Sequence, residues 1–315
     1  MSDSISTAVI LNPAASGGTA LRVWPRVEAE LERRGISFTL FPTDGPGHAT
    51  RLSKEMAGDG VSRILVIGGD GTVHEVANGI LNGPLPPPPL AVIPVGTGND
   101  FYRMVGSSPR VEHAVSALDE GTLHLFDVGR VSTDRGESYF VNLLGVGIDV
   151  EVLRAREKFH RLRGLPQYLA ALGWALFTFR PDSVRISVGA RGGEEEMECM
   201  EGKTLLAAVT VGPSIGGGFL LSPDASPEDG LLDLFVVGPL GVLKVVRYVP
   251  KVIRGTHRDI PEMRLRRFAS AVMERPDGGP LFFEMDGETI PDPVSKIIVE
   301  VCPSVLPVLL PASVP

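Results

Sequence analysis

The sequence is poor in the features that mark several classes of protein. Only two of its 315 residues are cysteine, Cys199 and Cys302, too few for a disulfide framework or a metal-ligand cluster. Two isolated thiols suit a reducing compartment, so we expect a cytoplasmic protein. Basic charge is also scarce, since 30 Lys and Arg against 38 Asp and Glu leave a net charge of −8. Proteins that hold nucleic acid through its phosphates usually show the opposite balance, so we expect no nucleic-acid partner.

Long apolar runs are missing as well. The most apolar window, Leu165 to Phe179, is shorter than the roughly 20 residues that a membrane-spanning helix needs. We therefore predict a buried or interfacial helix there. The polar start, Met1 to Thr7, does not have the pattern of a signal peptide.

The first 125 or so residues alternate between β and α patterns. Ile64 to Ile67 and Leu90 to Pro94 are continuous apolar runs, as in strands that are buried on both faces of a sheet. Alternation of this kind predicts an α/β domain over residues 1–127, with a parallel sheet and helices on both faces. We also predict an N-terminal capping box from Thr72 and Glu75, which are three residues apart.

The pattern changes near Asp127, where short apolar runs separated by turns begin. These runs predict a second, mainly antiparallel β-sandwich domain over residues 128–305. A C-terminal tail, 306–315, is left over, and a return of this tail to the first domain stays open. Two helical stretches, Val152–Phe179 and Val242–Arg254, interrupt the strands.

Three glycine-rich turns follow predicted strands of the first domain. They are Asn12–Gly18, Gly68–Thr72 and Gly96–Asp100. Glycines let the backbone approach a ligand closely, and free N–H groups at a helix start attract phosphate. Turns after neighbouring parallel strands lie along one sheet edge, where ligands bind in open α/β sheets. The turns therefore predict a nucleotide site, although tight turns without a ligand remain the alternative.

A carboxylate among phosphates is repelled unless a divalent cation lies between them. Asp70 is therefore predicted to meet Mg²⁺ or its water shell. Neither a G-x-x-x-x-G-K-[ST] loop nor a complete dinucleotide fingerprint is present in the sequence.

These motifs together resemble the diacylglycerol kinase catalytic domain superfamily, and most closely its bacterial soluble lipid kinases. The resemblance rests on Gly68–Thr72, on Pro94–Phe101 and on Asn12-Pro13 with Ser16-Gly17. Later in the chain, Pro223–Ala225 with Asp229-Gly230, and Met285–Glu288, match further motifs. The likeness covers nearly the whole chain and implies an ATP- and Mg²⁺-dependent lipid kinase in phospholipid metabolism, with its active site in a cleft between two domains.

The resemblance also implies roles for individual residues. Together with the turns, it gives these nucleotide-binding candidates: Asn12, Pro13, Ser16, Gly17, Thr43, Gly68, Gly69, Asp70, Gly71, Thr72, Val73, His74, Gly96, Thr97, Asn99 and Asp100. A structural Mg²⁺ is expected at Ser226, Asp229 and Leu231, partly through main-chain oxygens, although Pro227 departs from the pattern. Asp286 or Glu288 is expected to act as the base, and the spacing does not decide between them. Asp286-Gly287 is equally typical of a plain hairpin turn.

Other interpretations stay open. One is another kinase with the same glycine motif, such as one that phosphorylates NAD, and a second is a nucleotide- or lipid-binding protein without catalysis. The acceptor is expected to be a lipid such as diacylglycerol. Basic residues beside apolar windows suit a peripheral contact with an anionic membrane at the inner membrane face; they are Arg154, Arg156, Lys158, Arg161, Arg163, Lys244, Arg247, Lys251 and Arg254. A homodimer is also compatible with the sequence.

Overall fold

The computed structural model describes residues 7–104, 110–162, 164–189 and 198–312. The chain divides into two compact units. The first comprises the described residues up to Phe126 together with those from Ser304 onward, and the second is Asp127–Pro303. Arg163, one of the basic residues considered above, lies outside the described residues.

The first unit is an α/β unit with a parallel sheet. Its elements in chain order are β1 (Ala8–Leu11), α1 (Thr19–Arg33), β2 (Thr39–Pro42), α2 (His48–Gly58), β3 (Ile64–Gly68), α3 (Asp70–Leu81), β4 (Leu90–Pro94), α4 (Asp100–Met104) and α5 (Val111–Ser116). The strand order is β2-β1-β3-β4, and each neighbouring pair is parallel. This architecture confirms the predicted parallel α/β fold.

Burial on both faces explains why these strands are almost wholly apolar. Val9, Leu65 and Ile93 belong to a core with the inner faces of α1 and α5. The alternate residues Ile10 and Val66 are also fully buried and point to the opposite face, because side chains alternate along a strand. Helices α2 and α3 contact β1 and β3 respectively.

The second unit holds twelve strands or parts of strands. They are β5 (Thr122–Thr133), β6 (Gly136–Phe140), β7 (Leu143–Gly147), β8 (Asp182–Gly189), β9 (Glu198–Thr204), β10 (Leu206–Thr210), β11 (Leu232–Val237), β12 (Met263–Phe268), β13 (Ser270–Glu274), β14 (Phe283–Met285), β15 (Glu288–Thr289) and β16 (Lys296–Leu310). The unit boundaries fall within β5 and β16, and Val308 of β16 pairs in parallel with Leu90 of the first unit's sheet.

Two antiparallel sheets form the sandwich. One has the order β12-β11-β10-β7-β14-β15, and the other contains β16-β13-β8-β9 in that order. Leu144 and Val209 from the first sheet share a core with Ile186 and Val299 from the second. The predicted β-sandwich is confirmed.

Helices cover the outer face of the six-stranded sheet. They are α6 (Ile148–Arg156), a short 3₁₀ helix (Glu157–Phe159), α7 (Leu165–Thr178) and α8 (Val242–Ile253). The prediction of one helical stretch over Val152–Phe179 is wrong, because the chain turns between the 3₁₀ helix and α7. Gly164 has a positive φ of 63°, and Pro166 is suited to the first turn of the new helix. None of the helices in the described ranges has the length and apolarity that crossing a bilayer requires.

Candidate active site

Three turns meet at the carboxyl edge of the first unit's sheet. Asn12 follows β1, Gly69 follows β3 and Val95 follows β4, and these strands are neighbours. The Asn12 amide donates a hydrogen bond to Oγ1 of Thr72 at 3.0 Å. The hydroxyls of Ser16 and Thr97, which lie in the first and third turns, are 3.4 Å apart. The sequence-predicted turns are therefore joined by side-chain contacts.

The second and third turns touch through their backbones at two glycines. A Cβ on Gly96 would lie 2.6 Å from Cα of Gly69 and 2.7 Å from Oδ1 of Asn99. A Cβ on Gly69 would lie 2.9 Å from Cα of Gly96. Real Cβ atoms do not approach other atoms this closely, so only glycine fits at either position.

The rims of the first and third turns have left-handed backbone conformations. Ser16 and Gly17 have φ of 47° and 65°, and Asn99 has φ of 53°. The amide of Asn99 donates to the carbonyl of Gly96 at 2.9 Å, a local bond that helps asparagine tolerate this conformation.

Helix α3 begins directly in the second turn, at Asp70, after the extended residue Gly69. The amides of Thr72 and Val73 bond to the carbonyl of Gly69. The N–H groups of Asp70 and Gly71 lie ahead of the helix's own hydrogen-bond ladder, in the position from which helices bind anions. This position suits a phosphate group.

The predicted capping box is wrong, because the residue before the helix is Gly69 and no side chain caps it. Thr72 instead lies inside the first helical turn of α3, where its hydroxyl oxygen accepts a hydrogen bond from the side-chain amide of Asn12. The carboxylate of Glu75 instead accepts from the amides of Gly47 and Ala49, at 2.8 and 3.0 Å. It therefore caps the start of the neighbouring helix α2.

The remaining residues predicted to bind the nucleotide differ in how far they are buried. Oδ1 of Asp70 accepts from the amide of Phe101 at 3.1 Å, which links the turn after β3 to α4. Asp100 is buried, and the Val73 side chain is buried in the core, so only the main chain of Val73 could meet a ligand. His74 is half-buried, and Thr43 follows β2 with its amide bonded to the carbonyl of Leu11.

The carboxylate of Asp70 is a hard oxygen donor of the kind that Mg²⁺ prefers. It lies in the same helical turn as the amides that suit a phosphate. The residues present therefore fit a nucleotide-bound Mg²⁺ at this position. Among the residues that the structure describes, no group of three or more His, Cys, Asp and Glu side chains is arranged to hold a metal ion.

A guanidinium group from β12 contacts the loop that is predicted to hold a structural Mg²⁺. Asp229 accepts from the guanidinium of Arg267 and from the amide of Leu231. Nε of Arg267 also lies 3.8 Å from Oδ1 of Asp233. Burial of the Asp233 carboxyl group raises its pKa to about 6. The arginine would compete with a metal for the Asp229 carboxylate, and the assignment of Mg²⁺ to Ser226, Asp229 and Leu231 remains a prediction.

The two carboxylates considered as the base have different surroundings. Asp286 and Gly287, with φ of 50° and 88°, form the two-residue turn of the β14–β15 hairpin. Asp286 is buried, and its carboxylate accepts from three consecutive amides at 2.8 to 2.9 Å, those of Val141, Asn142 and Leu143. Glu288 starts β15 and is exposed. The turn therefore separates the two side chains.

Comparison with known proteins bears on both units. A model of the diacylglycerol kinase catalytic domain matches residues 6–131, and a model of the YegS C-terminal NAD kinase beta sandwich-like domain matches residues 142–310. A diacylglycerol kinase of Bacillus subtilis is 32% identical over 254 residues, which make up 79% of each chain. The chain belongs to the bacterial diacylglycerol kinase-like lipid kinase family.

Two further members of this family are similar to the chain. A diacylglycerol kinase of Mycobacterium tuberculosis is 27% identical over 269 residues, which cover 85% of this chain and 84% of that protein. The crystal structure of a diacylglycerol kinase from Bacillus anthracis has a TM-score of 0.72 and 23% identity, and the likeness covers 98% of both chains. That structure supports the assigned fold.

In this member of the family, sequence reasoning missed a buried acidic cluster. Oδ1 of Asp149 accepts from the hydroxyl of Tyr168 at 2.6 Å, and Glu284 accepts from the amide of Gly287 at 2.8 Å. A Cβ on Gly145 would lie 2.6 Å from Oε1 of Glu284 and 2.9 Å from Oδ2 of Asp149, so both carboxyl groups border the same glycine. The one available signal is a glutamate inside an apolar strand, Phe-Phe-Glu-Met.

Burial raises the pKa of both Asp149 and Glu284 above their usual range. The proximity of the two negative charges adds to this effect for Glu284. The pair therefore retains a proton at pH values where a solvated carboxyl group has lost it.

The raised pKa of Glu284 predicts that Glu284→Gln makes folding less sensitive to pH. The folded state keeps its proton to higher pH than the unfolded chain does, so wild-type stability falls as the pH rises above the ordinary glutamate value of 4.5. The slope is up to about 1.4 kcal/mol per pH unit for each extra proton that the folded state holds. Glutamine has no such proton to lose, and thermal unfolding at a series of pH values measures the difference.

The control is Glu55→Gln, on the exposed face of α2. This variant should keep the wild-type pH slope. Equal slopes for wild type and Glu284→Gln would show that the buried pair does not retain a proton.

An apolar cavity of about 80 Å³ lies beside this cluster within the second unit. Asp149 and Tyr168 are its polar lining residues near the cluster, and Leu172, Phe219 and Val249 are among the apolar ones. Its volume is well below the roughly 300 Å³ at which pockets for drug-sized ligands begin, so it suits only part of an extended hydrocarbon chain.

Proposed function

We propose that this protein is an ATP-dependent kinase that phosphorylates a hydroxyl group of a lipid such as diacylglycerol. The observation that carries the proposal is the convergence of three turns at one sheet edge, with Gly69 and Gly96 in backbone contact. Such side-chain-poor turns leave room for phosphate groups and direct main-chain amides at them. The names of the relatives, diacylglycerol kinases, support a lipid as the acceptor.

For ATP we propose contacts from all three turns. The amides of Asp70 and Gly71 would bind phosphate oxygens, and the hydroxyls of Ser16 and Thr97 would bind phosphate oxygens as well. Asp70 would hold Mg²⁺, which neutralises phosphate charge when it is bound. These contacts position the γ-phosphoryl group, and positioning with electrostatic stabilisation is the main source of catalysis in phosphoryl transfer.

For the acceptor we propose the second unit's cavity as the place for a hydrocarbon chain. Its lining is almost entirely aliphatic and aromatic, with Asp149 and Tyr168 as polar groups at one side. A lipid with an apolar chain next to a hydroxyl-bearing head group has the matching pattern of polarity. A polar acceptor without a hydrocarbon chain, such as NAD, does not have this pattern.

We propose Glu288 as the base. Its side chain is exposed and so accessible to an acceptor, whereas the side chain of Asp286 is buried in the hairpin turn. In the reaction, the acceptor hydroxyl loses its proton to Glu288 while its oxygen forms a bond to the γ-phosphorus. The bond between that phosphorus and the β–γ bridging oxygen breaks, and ADP leaves with the electron pair. Asp286 would position Glu288 by fixing the hairpin turn.

The test is turnover of labelled ATP with Mg²⁺ across a panel of acceptors in detergent micelles. The panel contains diacylglycerol, monoacylglycerol, a sphingoid base, a polyprenol and, as a non-lipid, NAD. We expect label in at least one lipid and none in NAD. Asp70→Asn should lower that turnover by about 10²-fold or more, because it removes a charge that holds the phosphate–metal group in position.

The matched control is Asp59→Asn, an exposed residue just after α2 that should leave turnover unchanged. Label in NAD alone would replace the proposal with an NAD kinase. ATP binding without turnover on any acceptor would favour a non-catalytic binding protein.

A further inference from the structure

Helix α7 exposes large apolar side chains although it carries no charged residue. Leu169, Trp174 and Phe177 are 38, 46 and 71% exposed. Its opposite side is well covered, because Ala171 and Ala175 are fully buried against the six-stranded sheet. Exposed side chains of this size have an unfavourable contact with water, so the outer side of α7 is suited to an apolar surface.

Helix α8 has an outer side of a similar kind. Leu243 and Val246 are 87 and 64% exposed, while Val245 and Val252 on the inner side are buried. The helix contains no Asp or Glu. Arg247 and Lys251 are exposed and follow Leu243 at four-residue steps, so they lie next to the apolar side chains on the helix surface.

The two outer sides belong to one surface of the second unit. The inner sides of α7 and α8 line the same cavity, through Leu172 and Leu176 of α7 and Val245 and Val249 of α8. Since both helices cover the same sheet with their inner sides, their outer sides point away from it together. We call the exposed side chains the α7–α8 face: Leu169, Trp174, Phe177, Leu243, Val246, Arg247 and Lys251.

Positive charge surrounds this face in a protein of net charge −8. Residues 150–180 and 241–254 together contain ten Lys and Arg but only two Glu. The ammonium group of Lys158 lies 4.2 Å from the ring centroid of Trp174, and the guanidinium of Arg154 lies 5.0 Å from that of Phe282. The nearby acids are partly neutralised, since Glu151 pairs with Arg154 and Glu262 pairs with Lys244.

We propose that the α7–α8 face docks on the surface of an anionic phospholipid bilayer. Aromatic and aliphatic side chains with Lys and Arg beside them are the combination by which helices lie in the headgroup region of such membranes. A second copy of the chain is the alternative occupant, and the test below distinguishes it from a bilayer. The inference concerns binding alone and does not depend on the proposed kinase activity.

The test is sedimentation of the full chain with vesicles in the absence of nucleotide. Vesicles of phosphatidylcholine alone are compared with vesicles of phosphatidylcholine and phosphatidylglycerol. We expect binding to the anionic vesicles, weakened by high salt because the ionic part is screened. The double variant Phe177→Ser with Leu243→Ser should bind at least about tenfold more weakly, because two large side chains no longer enter the apolar layer.

Leu21→Ser is the matched control, since Leu21 is a 54% exposed leucine on α1 and should not affect binding. Equal binding to both kinds of vesicle, or wild-type binding by the double variant, would overturn the proposal. So would a dimer of the wild-type chain that the same double variant dissociates. Turnover of a detergent-solubilised acceptor should be unchanged in the double variant, which separates a failure of docking from a failure of the kinase proposal.

Discussion

Glu288→Gln should lower the rate of phosphoryl transfer by about 10²–10⁴-fold, the usual contribution of a general base. Glutamine keeps the shape of the side chain but cannot accept the acceptor's proton. Because Glu288 is exposed at the start of β15, the thermal unfolding midpoint should not change. Steady-state turnover and a melting curve on the same preparation measure both quantities.

Asp286→Asn provides the contrast that separates a base from a positioning residue. In the wild type, the main-chain N–H groups of residues 141–143 donate to the carboxylate of Asp286. An asparagine would direct its own NH₂ donor at one or more of these N–H donors. We expect a loss of stability of about 1–3 kcal/mol together with lower turnover. Glu137→Gln, on the exposed start of β6, is the control for both assays. A normal rate for Glu288→Gln with a stable but inactive Asp286→Asn would reverse the two proposed roles.

Gly96→Ala should abolish most nucleotide binding while the fold of the second unit is preserved. The added methyl group would lie 2.6 Å from Cα of Gly69, so the two turns must move apart. A displacement of about 1 Å in a positioning element can cost about 10²-fold in rate. We expect a higher KM for ATP and a lower kcat, measured with the acceptor identified by the panel.

Gly58→Ala is the matched glycine control, because a Cβ there meets no atom within 4 Å. This variant should retain wild-type values of KM and kcat. Wild-type kinetics for Gly96→Ala would mean that the contact between the two turns is not needed for nucleotide binding.

Much of the first unit could be predicted from the sequence because its signals are local. Ile64–Gly68 and Leu90–Pro94 are uninterrupted apolar strands that end in glycine turns, and neighbouring parallel strands bring such turns to one edge. The partner of Glu75 could not be predicted in this way. The spacing to Thr72 favoured a cap on its own helix, but the groups that need a cap belong to α2, 26 to 28 residues away in the chain.

The strands of the second unit were harder to predict from the sequence, because two strands at the edges of its sheets are polar. Met263–Phe268 contains three arginines and alternates over only four residues, and Glu198–Thr204 contains two glutamates and a lysine, so neither has a strong apolar strand pattern. Both lie at the edge of their sheets, where solvent-facing charges are common. The buried pair of Asp149 and Glu284 was missed for another reason, since nothing in the local sequence relates two carboxyl groups 135 residues apart.

The position of β16, far along the sequence from the strand β4 that it pairs with, has a consequence for synthesis on the ribosome. The open edge of β4 pairs with Val308, which emerges only after all of Asp127–Pro303 has been translated. Until then the amino-terminal sheet presents unpaired backbone groups, a state in which nascent chains tend to associate wrongly. Rapid synthesis and folding of Asp127–Pro303 would shorten the time during which this sheet edge is unpaired.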